Sequence, residues 1–562
     1  MEISRDERIG RELEMKFEEL DGIKECGWSE KLKAAGYVSH RVGYRYTRVP
    51  EISVHDSSPK SYVQKYVAGL IGYLLPEDVE WGRLVYGKAK EKGLRRSTSR
   101  FDKEREEVLE WITSEVFQNM TDSNFYSTSH MVGLDREIFG IGIMHVEDGW
   151  DAGEKGIVFK CIDPQECVVA YSPRGLCDVF IRRTWRSAID LVREFGDEHR
   201  LEHTKQKLKG SGSENLDCEV YEAVLPRNYL YNSESGEFEE FRGQKPYVHI
   251  VYVKDDMEIV VESGFDVMPV SADVRMLEPE KKPYGEGLIE MCLPEIRKLD
   301  DLANLRQLLR QKNAEPPMYI PNSLRGRYSG KAKAENYGPS GGSEVRPSPI
   351  VTSLDASGYT EDIEELKKNL RNLIPVDLFE TLLGSTDSRK TATEVQMRKN
   401  EAMILLALSI GDMKRNLLEP VFKRCAKIVV KHTDFGERGE ETRDSLYSLI
   451  DESRLELNSV FIRRLNAYLQ NEGDDAIVAS MINMYGAYPE VMDVVDMDPF
   501  LQKYFLGKGL SASFIRDTNS IEKLREARAQ IQQSQLEAQN GMMTAKANAD
   551  NAKAAEAGGM LG

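Results

Sequence analysis

The sequence predicts an α+β fold, on three observations. Residues 102–117 (DKEREEVLEWITSEVF) set Val108, Trp111, Ile112 and Val116 on one face at helical spacing, and the first 150 residues read as mostly helical. From about Ile157 the pattern changes to short β-branched runs (GIVFKCI, ECVVAY, CDVFIRRTW, CEVYEAVL, YVHIVYV, MEIVVE) separated by Gly, Pro, Asp and Asn clusters. After Gly287 the chain becomes helical again, so helices and strands fall in separate stretches.

Taken in order, the β-rich stretch carries one helical insert, 187–195, and a loop of mobile composition at 209–215 (KGSGSEN). Its last two strands are separated by Lys254, Asp255 and Asp256, which predicts a hairpin. Pro294 suits a first helical position, and Leu299, Leu302, Leu305 and Leu309 follow at spacings of three, three and four. That helix ends at Ala314-Glu315-Pro316-Pro317. Residues 314–359 hold six Pro and six Gly, so no long helix is expected there. A second helix opens at Thr360, with Glu361, Asp362 and Glu364 near its positive end and Lys367, Lys368 and Arg371 near its negative end. Ile363, Leu366, Leu370 and Leu373 form its apolar stripe, and Pro375 stops it. The polar loop Gly384–Lys390 leads into the capping box Thr391-Ala392-Thr393-Glu394, from which a long helix is expected to run to about Val430, with kinks at Gly411 and Pro420. From Ser459 the chain reads as helical with turns at Gly473, Pro489 and Pro499. Beyond Ile521 a Gln/Ala-rich helix is expected to fray into a low-complexity tail.

A chain of 562 residues with 40% hydrophobic and 30% charged residues can bury sizeable cores, and two to four domains are expected. Its net charge of -18 excludes a basic nucleic-acid coat, though not a DNA partner met along a local surface. The longest nearly apolar run, 66–75, is about half the ~20 residues of a membrane-spanning helix, and the polar start has no signal-peptide pattern. A soluble, cytoplasmic protein with no membrane partner is therefore expected. Seven cysteines are few and odd in number, which argues for reduced thiols. The spacings of Cys161, Cys167 and Cys177 miss the zinc knuckle, so buried inert thiols are expected.

The sharpest enzyme signal is His199-Arg200-Leu201-Glu202-His203, which fits the H-x-x-E-H pattern. On a helix the two His share a face and could hold zinc, with Glu202 as general base. The polar flanks offer no apolar helix to bury a dry cavity, so a solvated helix end is the plainer reading and a zinc hydrolase the lesser alternative. No phosphate loop, G-x-S-x-G elbow or full dinucleotide fingerprint occurs. No enzyme activity, catalytic residue, metal or cofactor is expected.

Charge placement is more informative. Between Arg297 and Arg346 ten basic residues, including Arg325, Arg327, Lys331, Lys333 and Arg346, face five acidic ones, a net +5 inside a chain of -18. A solvated loop is one reading and a polyanion-facing segment the other, since phosphates attract Lys and Arg without base contacts.

The order of parts resembles the portal, or head-to-tail connector, proteins of short-tailed bacteriophages. The matching residues are Tyr66-Val67-Ala68-Gly69-Leu70 with Leu75-Pro76 and Trp81, Val108 to Trp111, Asp122-Ser123-Asn124-Phe125-Tyr126, Phe139-Gly140-Ile141-Gly142 and Phe195-Gly196. Pro283-Tyr284-Gly285-Glu286-Gly287, Glu315-Pro316-Pro317, Thr391-Ala392-Thr393-Glu394-Val395 and Leu524-Arg525-Glu526-Ala527-Arg528 follow. Each motif is weak alone; their shared order over residues 60–535 is specific.

The resemblance implies a virion structural protein: a phage portal fold assembled as a dodecameric ring at one capsid vertex, through which double-stranded DNA is packaged and ejected. It implies residues 1–286 as wing (β-rich at 155–275), 287–313 and 360–375 as stem helices, 314–359 as clip, 376–458 as tunnel loop and long wing helix, 459–535 as crown and 536–562 as a variable tail. Ser385, Thr386, Asp387, Ser388, Arg389 and Lys390 would form the DNA-proximal tunnel loop; an ordinary surface loop is the other reading. The implied partners are further copies of the chain, DNA, the terminase large subunit, tail adaptors, and major capsid and scaffolding proteins, with assembly in the host cytoplasm. In such a ring Leu302, Leu309, Ile363 and Leu370 are expected at contacts between stem helices. An acidic subunit suits a channel that must not grip DNA tightly. A tail or collar protein is the alternative.

Overall fold

The computed structural model describes residues 4–41, 47–86, 100–151, 153, 156–209, 217–232, 236–278, 283–316, 318–320, 348–349, 357–376, 409–435, 439–459, 462 and short stretches between 524 and 546. They divide between a compact unit, Met1–Val460, and a second, Phe461–Gly562, whose described residues after Ile462 are helical: 524–525, 527–528, 530–531, 533–534 and 541–546.

The first unit opens with α1 (Arg5–Val38), capped by Ser4, whose hydroxyl accepts from the Glu7 N–H. Helix α2 (Ser58–Leu74) follows, then strand β1 (Gly82–Tyr86), helix α3 (Arg100–Thr121) and helix α4 (Phe125–Phe139). The buried stripe of α3 is Leu109, Ile112, Val116 and Met120. Trp111, expected on that stripe, is 37% exposed at its edge.

Strands β2 (Ile141–Asp148), β3 (Ile157–Ile162), β4 (Cys167–Tyr171) and β5 (Cys177–Ser187) lead to short helices α5 (Ala188–Phe195) and α6 (Glu202–Lys209). Then come β6 (Asp217–Pro226), the small pair β7 (Tyr231–Asn232) and β8 (Glu237–Phe238), β9 (Tyr247–Val253), β10 (Glu258–Phe265) and β11 (Val270–Val274). The expected hairpin is β9–β10, which joins a five-stranded antiparallel sheet of order β10-β9-β6-β5-β4. A three-stranded sheet, β11-β2-β3, packs on α4.

Side-chain alternation makes the large sheet two-faced. Tyr221, Ala223 and Leu225 of β6 with Val248, Ile250 and Tyr252 of β9 face one core, against Ile9, Leu13 and Phe17 of α1. Cys218 and Val220 of β6 with Val251 and Val253 of β9 face the other, against Ala188 and Leu191 of α5. Each fully buried large apolar side chain here contributes about 1.5–3 kcal/mol. At Gly10 an added Cβ would come within 2.1 Å of the Tyr252 ring, so the missing side chain sets how closely α1 approaches the sheet.

Two glycine motifs meet. Gly140 caps α4 in the left-handed region, φ +83°, and a Cβ there would lie 2.7 Å from the Tyr284 carbonyl oxygen. Gly285, φ +59°, would put its Cβ 2.1 Å from the Arg275 carbonyl oxygen. The Arg275 N–H donates to the Gly140 carbonyl, and Lys31 Nζ donates to the Gly285 carbonyl at 2.8 Å. Phe139-Gly140-Ile141-Gly142 and Pro283–Gly287 thus form one backbone-to-backbone seam that only glycine fits.

After α7 (Leu288–Met291) come α8 (Leu293–Ala314), the two-residue strands β12 (Met318–Tyr319) and β13 (Ser348–Pro349), and α9 (Ser357–Leu373), which begins three residues before the expected Thr360 and ends before Pro375. The chain continues as helix at 409–413, a π-turn at Lys414–Leu418, and helices α10 (Glu419–His432) and α11 (Gly439–Glu452). The expected irregularity between Gly411 and Pro420 takes the form of that π-turn. The Glu419 N–H reaches the Lys414 carbonyl, five residues back, and the wider turn makes room for the Pro420 ring. Strand β14 (Ser453–Leu457) then pairs antiparallel with β1, which binds the end of the unit to its beginning. Trp81, fully buried, joins α3, α4 and α10 through Phe117, Phe125 and Phe422 at 5.1, 6.0 and 5.9 Å. Among the described residues, no helix is long and apolar enough to cross a membrane.

Candidate functional site

The helices α8 and α9 form an antiparallel hairpin, closed at its far end by a two-residue pair of strands, β12 (Met318–Tyr319) and β13 (Ser348–Pro349). That pair brings the ends of the 320–347 excursion together. The basic residues expected to matter there, Arg325, Arg327, Lys331, Lys333 and Arg346, lie outside the described residues, as do Ser385, Thr386, Asp387, Ser388, Arg389 and Lys390.

The base of the hairpin is tied to the segment before α2. Asp300 Oδ1 accepts from the backbone N–H groups of His55 and Asp56 at 2.6 and 3.1 Å, and its Oδ2 lies 3.1 Å from His55 Nδ1. Lys367 Nζ of α9 pairs with Asp56 Oδ2 at 3.0 Å. One short segment therefore fixes both helices at their roots.

On α8 the buried face is Leu293, Ile296, Leu299 and Ala303; Leu302 and Leu309 are half-buried. On α9 Ile363 and Leu370 are fully buried within a single chain, along with Leu366 and Ile374. The burial of Ile363 and Leu370 therefore needs no neighbouring subunit. Leu305, Leu308 and Leu373 remain 45%, 43% and 47% exposed.

Val376, the last described residue before 377, is buried, and Ser409, the first described after 408, is bonded to a buried ion cluster. Arg136 of α4 is fully buried and donates to Ser409 Oγ at 2.9 Å and to Glu137 Oε1 at 2.5 Å. Its Nε lies 3.0 Å from Asp273 Oδ2 of β11 but off the N–H axis, so neither Asp273 oxygen accepts a hydrogen bond among the described residues. Arg275 Nη1 pairs with Glu137 Oε2 at 2.7 Å. Burial pushes the Asp273 carboxyl up to about 6, with the Arg136 charge pulling the other way. The cluster joins α4, β11 and the start of the 409–432 helix.

The His199, Glu202, His203 pattern does not form a metal site. Helix α6 begins at Glu202, so His199 lies outside it and the two His do not share a helical face. His199 Nδ1 sits 3.0 Å from Glu258 Oε1, and the His203 backbone N–H donates to Asp256. The structure instead gathers Asp148, Asp151 and His432, whose potential ligand atoms lie within 4.8 Å of one another. Lys431 Nζ already sits there, 2.9 Å from Asp148 Oδ2 and 2.5 Å from Asp151 Oδ2, and His432 Nε2 lies 2.9 Å from Asp148 Oδ2. A resident ammonium makes this a clasp between the β2–β3 hairpin and the end of α10. Burial alone would raise the Asp148 pKa, but the His432 and Lys431 hydrogen bonds outweigh it and hold it below the usual carboxylate range. Sequence separations of more than 280 residues hid this contact from local reading.

The six described cysteines are free. Burial pushes the Cys167 thiol up to about 12 and Cys292 to about 11, which leaves them neutral and unreactive.

The family model described as bacteriophage head to tail connecting protein matches residues 41–515. The portal protein of Salmonella phage epsilon15 is 24% identical over 468 residues, covering 80% of this chain and 77% of that protein. A probable portal protein of Bordetella phage BPP-1 is 23% identical over 441 residues, covering 76% and 75%.

Proposed function

The chain belongs to the bacteriophage head to tail connecting protein family, and on that premise we propose that it closes into a ring of twelve at a single capsid vertex. Its standing as a portal-type structural protein of the virion comes from the family. The ring, its size and its channel are the proposal. Double-stranded DNA passes through the ring during packaging and ejection, the terminase large subunit docks on it first, and tail adaptors follow. Major capsid and scaffolding proteins surround it, and assembly takes place in the host cytoplasm.

In this reading residues 1–286 form the wing, α8 and α9 the stem, 314–359 the clip, Ser385 to Lys390 the tunnel loop and 459–535 the crown. The observation that supports it best is the extent of the family match, residues 41–515, which runs from within the proposed wing to within the proposed crown. The rooted α8–α9 hairpin fits the part of a stem, because a channel wall must hold its shape while DNA moves past. A net charge of -18 per subunit limits tight phosphate binding, as a sequence-blind conduit requires.

Electron microscopy and native mass measurement of the purified full chain test the proposal. Closed rings with an axial hole and a mass of twelve chains are expected. A stable monomer at high concentration refutes it. Capture of the terminase large subunit by the rings separates this function from that of a tail or collar protein, which would not bind it. Shortening 385–390 should impair DNA retention more than ring formation; equal loss of both would remove the tunnel-loop assignment.

A further inference from the structure

We propose that neighbouring copies dock through the helical hairpin, with the basic C-terminal end of α8 in one subunit against the acidic start of α9 in the next. This rests on the ring proposed above and adds the surface and the polarity of its contact.

Helix α8 is apolar on two opposite faces. Ile296, Leu299 and Ala303, at spacings of three and four, are buried against the body of the subunit. Asp301, Leu305, Leu308 and Lys312, at spacings of four, three and four, share the other face and are all exposed. A helix serving one core needs one stripe; leucines on the far stripe gain nothing inside this subunit. On α9, Ile363, Leu366, Leu370 and Ile374 are used up internally, while Leu373 stands 47% exposed on the flank it shares with Asp362 and Asn369.

The charges sort by helix. The end of α8 carries Arg306, Arg310 and Lys312 with no acid among them, and the start of α9 carries Glu361, Asp362, Glu364 and Glu365 with no base. Among the described residues none of these seven side chains forms a salt bridge within the subunit. The hairpin nevertheless turns back between the two blocks and sets them at the same end. Of the seven only Lys312 lies in a terminal turn, so helix-end compensation explains neither the blocks nor the exposed leucines beside them.

A rotation that generates a ring leaves height along the axis unchanged, so blocks at one height in a subunit meet blocks at that height in its neighbour. Head-to-tail contact then sets α8 of one copy against α9 of the next, base against acid around the leucines. A two-fold contact of α8 with α8 would oppose like charges.

Charge reversal tests this in the full chain, read by sedimentation and native mass measurement. One variant carries Arg306→Glu, Arg310→Glu and Lys312→Glu; a second carries Glu361→Lys, Asp362→Lys and Glu365→Lys; a third combines them. Each single reversal should raise the concentration for half-assembly roughly tenfold or more, and the combination should restore most of it. Leu305→Ser with Leu308→Ser should weaken assembly at unchanged thermal stability. If the natural chain assembles and both reversals assemble equally well, the docking surface is overturned while the ring stands. Folded, monomeric single reversals with no recovery in the combination overturn the pairing. A natural chain that stays monomeric overturns the ring itself, and this contact with it.

Discussion

Removing the guanidinium at the centre of the buried cluster, by Arg136→Met, should destabilise the first unit more than any surface change. Methionine fills a similar volume, so the cost is electrostatic. Glu137 keeps Arg275 at 2.7 Å, but Asp273 loses the cation that lies 3.0 Å from it. Breaking a buried pair from one side costs about 3–5 kcal/mol. The loss should depend on pH in a defined direction. Burial raises the Asp273 pKa to about 6, above its unfolded value, so the site is most favourable at low pH and loses stability as pH rises toward about 6. Without Arg136 the carboxyl stays protonated to higher pH, and the loss continues beyond 6 at roughly 1.4 kcal/mol per pH unit. The penalty at about pH 7.5 should therefore exceed that at about pH 5 by roughly 2 kcal/mol. Urea unfolding followed by fluorescence of the buried Trp28 and Trp81 measures both. Adding Asp273→Asn to Arg136→Met should recover much of the loss, because the stranded charge is gone. A pH-independent penalty, or a double variant no better than the single one, would refute the account.

Three further outcomes follow from local geometry. Gly10→Ala, which in an exposed helix stabilises by up to about 1 kcal/mol, should here cost about 1–3 kcal/mol because its Cβ meets the buried Tyr252 ring; an unchanged melting temperature contradicts this. Cys167, Cys292 and Cys425 should resist a thiol reagent in the native state and react on unfolding, which a colorimetric thiol count resolves. Lys431→Ala should cost about 1 kcal/mol by thermal unfolding. Because the Asp148 pKa is held low, that clasp is fully present above the unfolded carboxylate value and fades as pH falls through the folded one; a penalty that grows on acidification sinks the assignment.

Local signals carried the elements, and tertiary contacts carried what local signals missed. Pro294, Pro375 and the flanking charges bracket α8 and α9 because helix ends are decided by nearby backbone chemistry. The β9–β10 turn was equally legible from three polar residues between two β-branched runs. Trp111 shows the limit: periodicity found the helix, but the exact centre of its buried stripe, Leu109 and Ile112, depends on what packs against it. For Ile363 and Leu370 the apolar stripe was evident, but not whether its cover comes from the same chain; α9 packs on α8 and α2, and both side chains are buried within one chain. The Arg136–Asp273 cluster had no sequence signature, since a charged residue inside a helix reads as solvent-facing until its partner 137 positions away is known. His199 and His203 illustrate the reverse case, a spacing that suggests a site and a helix start that undoes it.

The pairing of β1 with β14 bears on how the polypeptide is made. Arg83 and Glu456, ion-paired across that ribbon, are 373 positions apart, and the hairpin, its excursion and the π-turn all lie between them. At about 5–20 residues per second a ribosome needs roughly 20–75 s to deliver the second strand after the first. During that interval β1 lacks its mate. A nascent chain therefore cannot complete the β1–β14 ribbon until synthesis is well past α8 and α9, so the first unit is closed at its beginning only by one of its last-made strands.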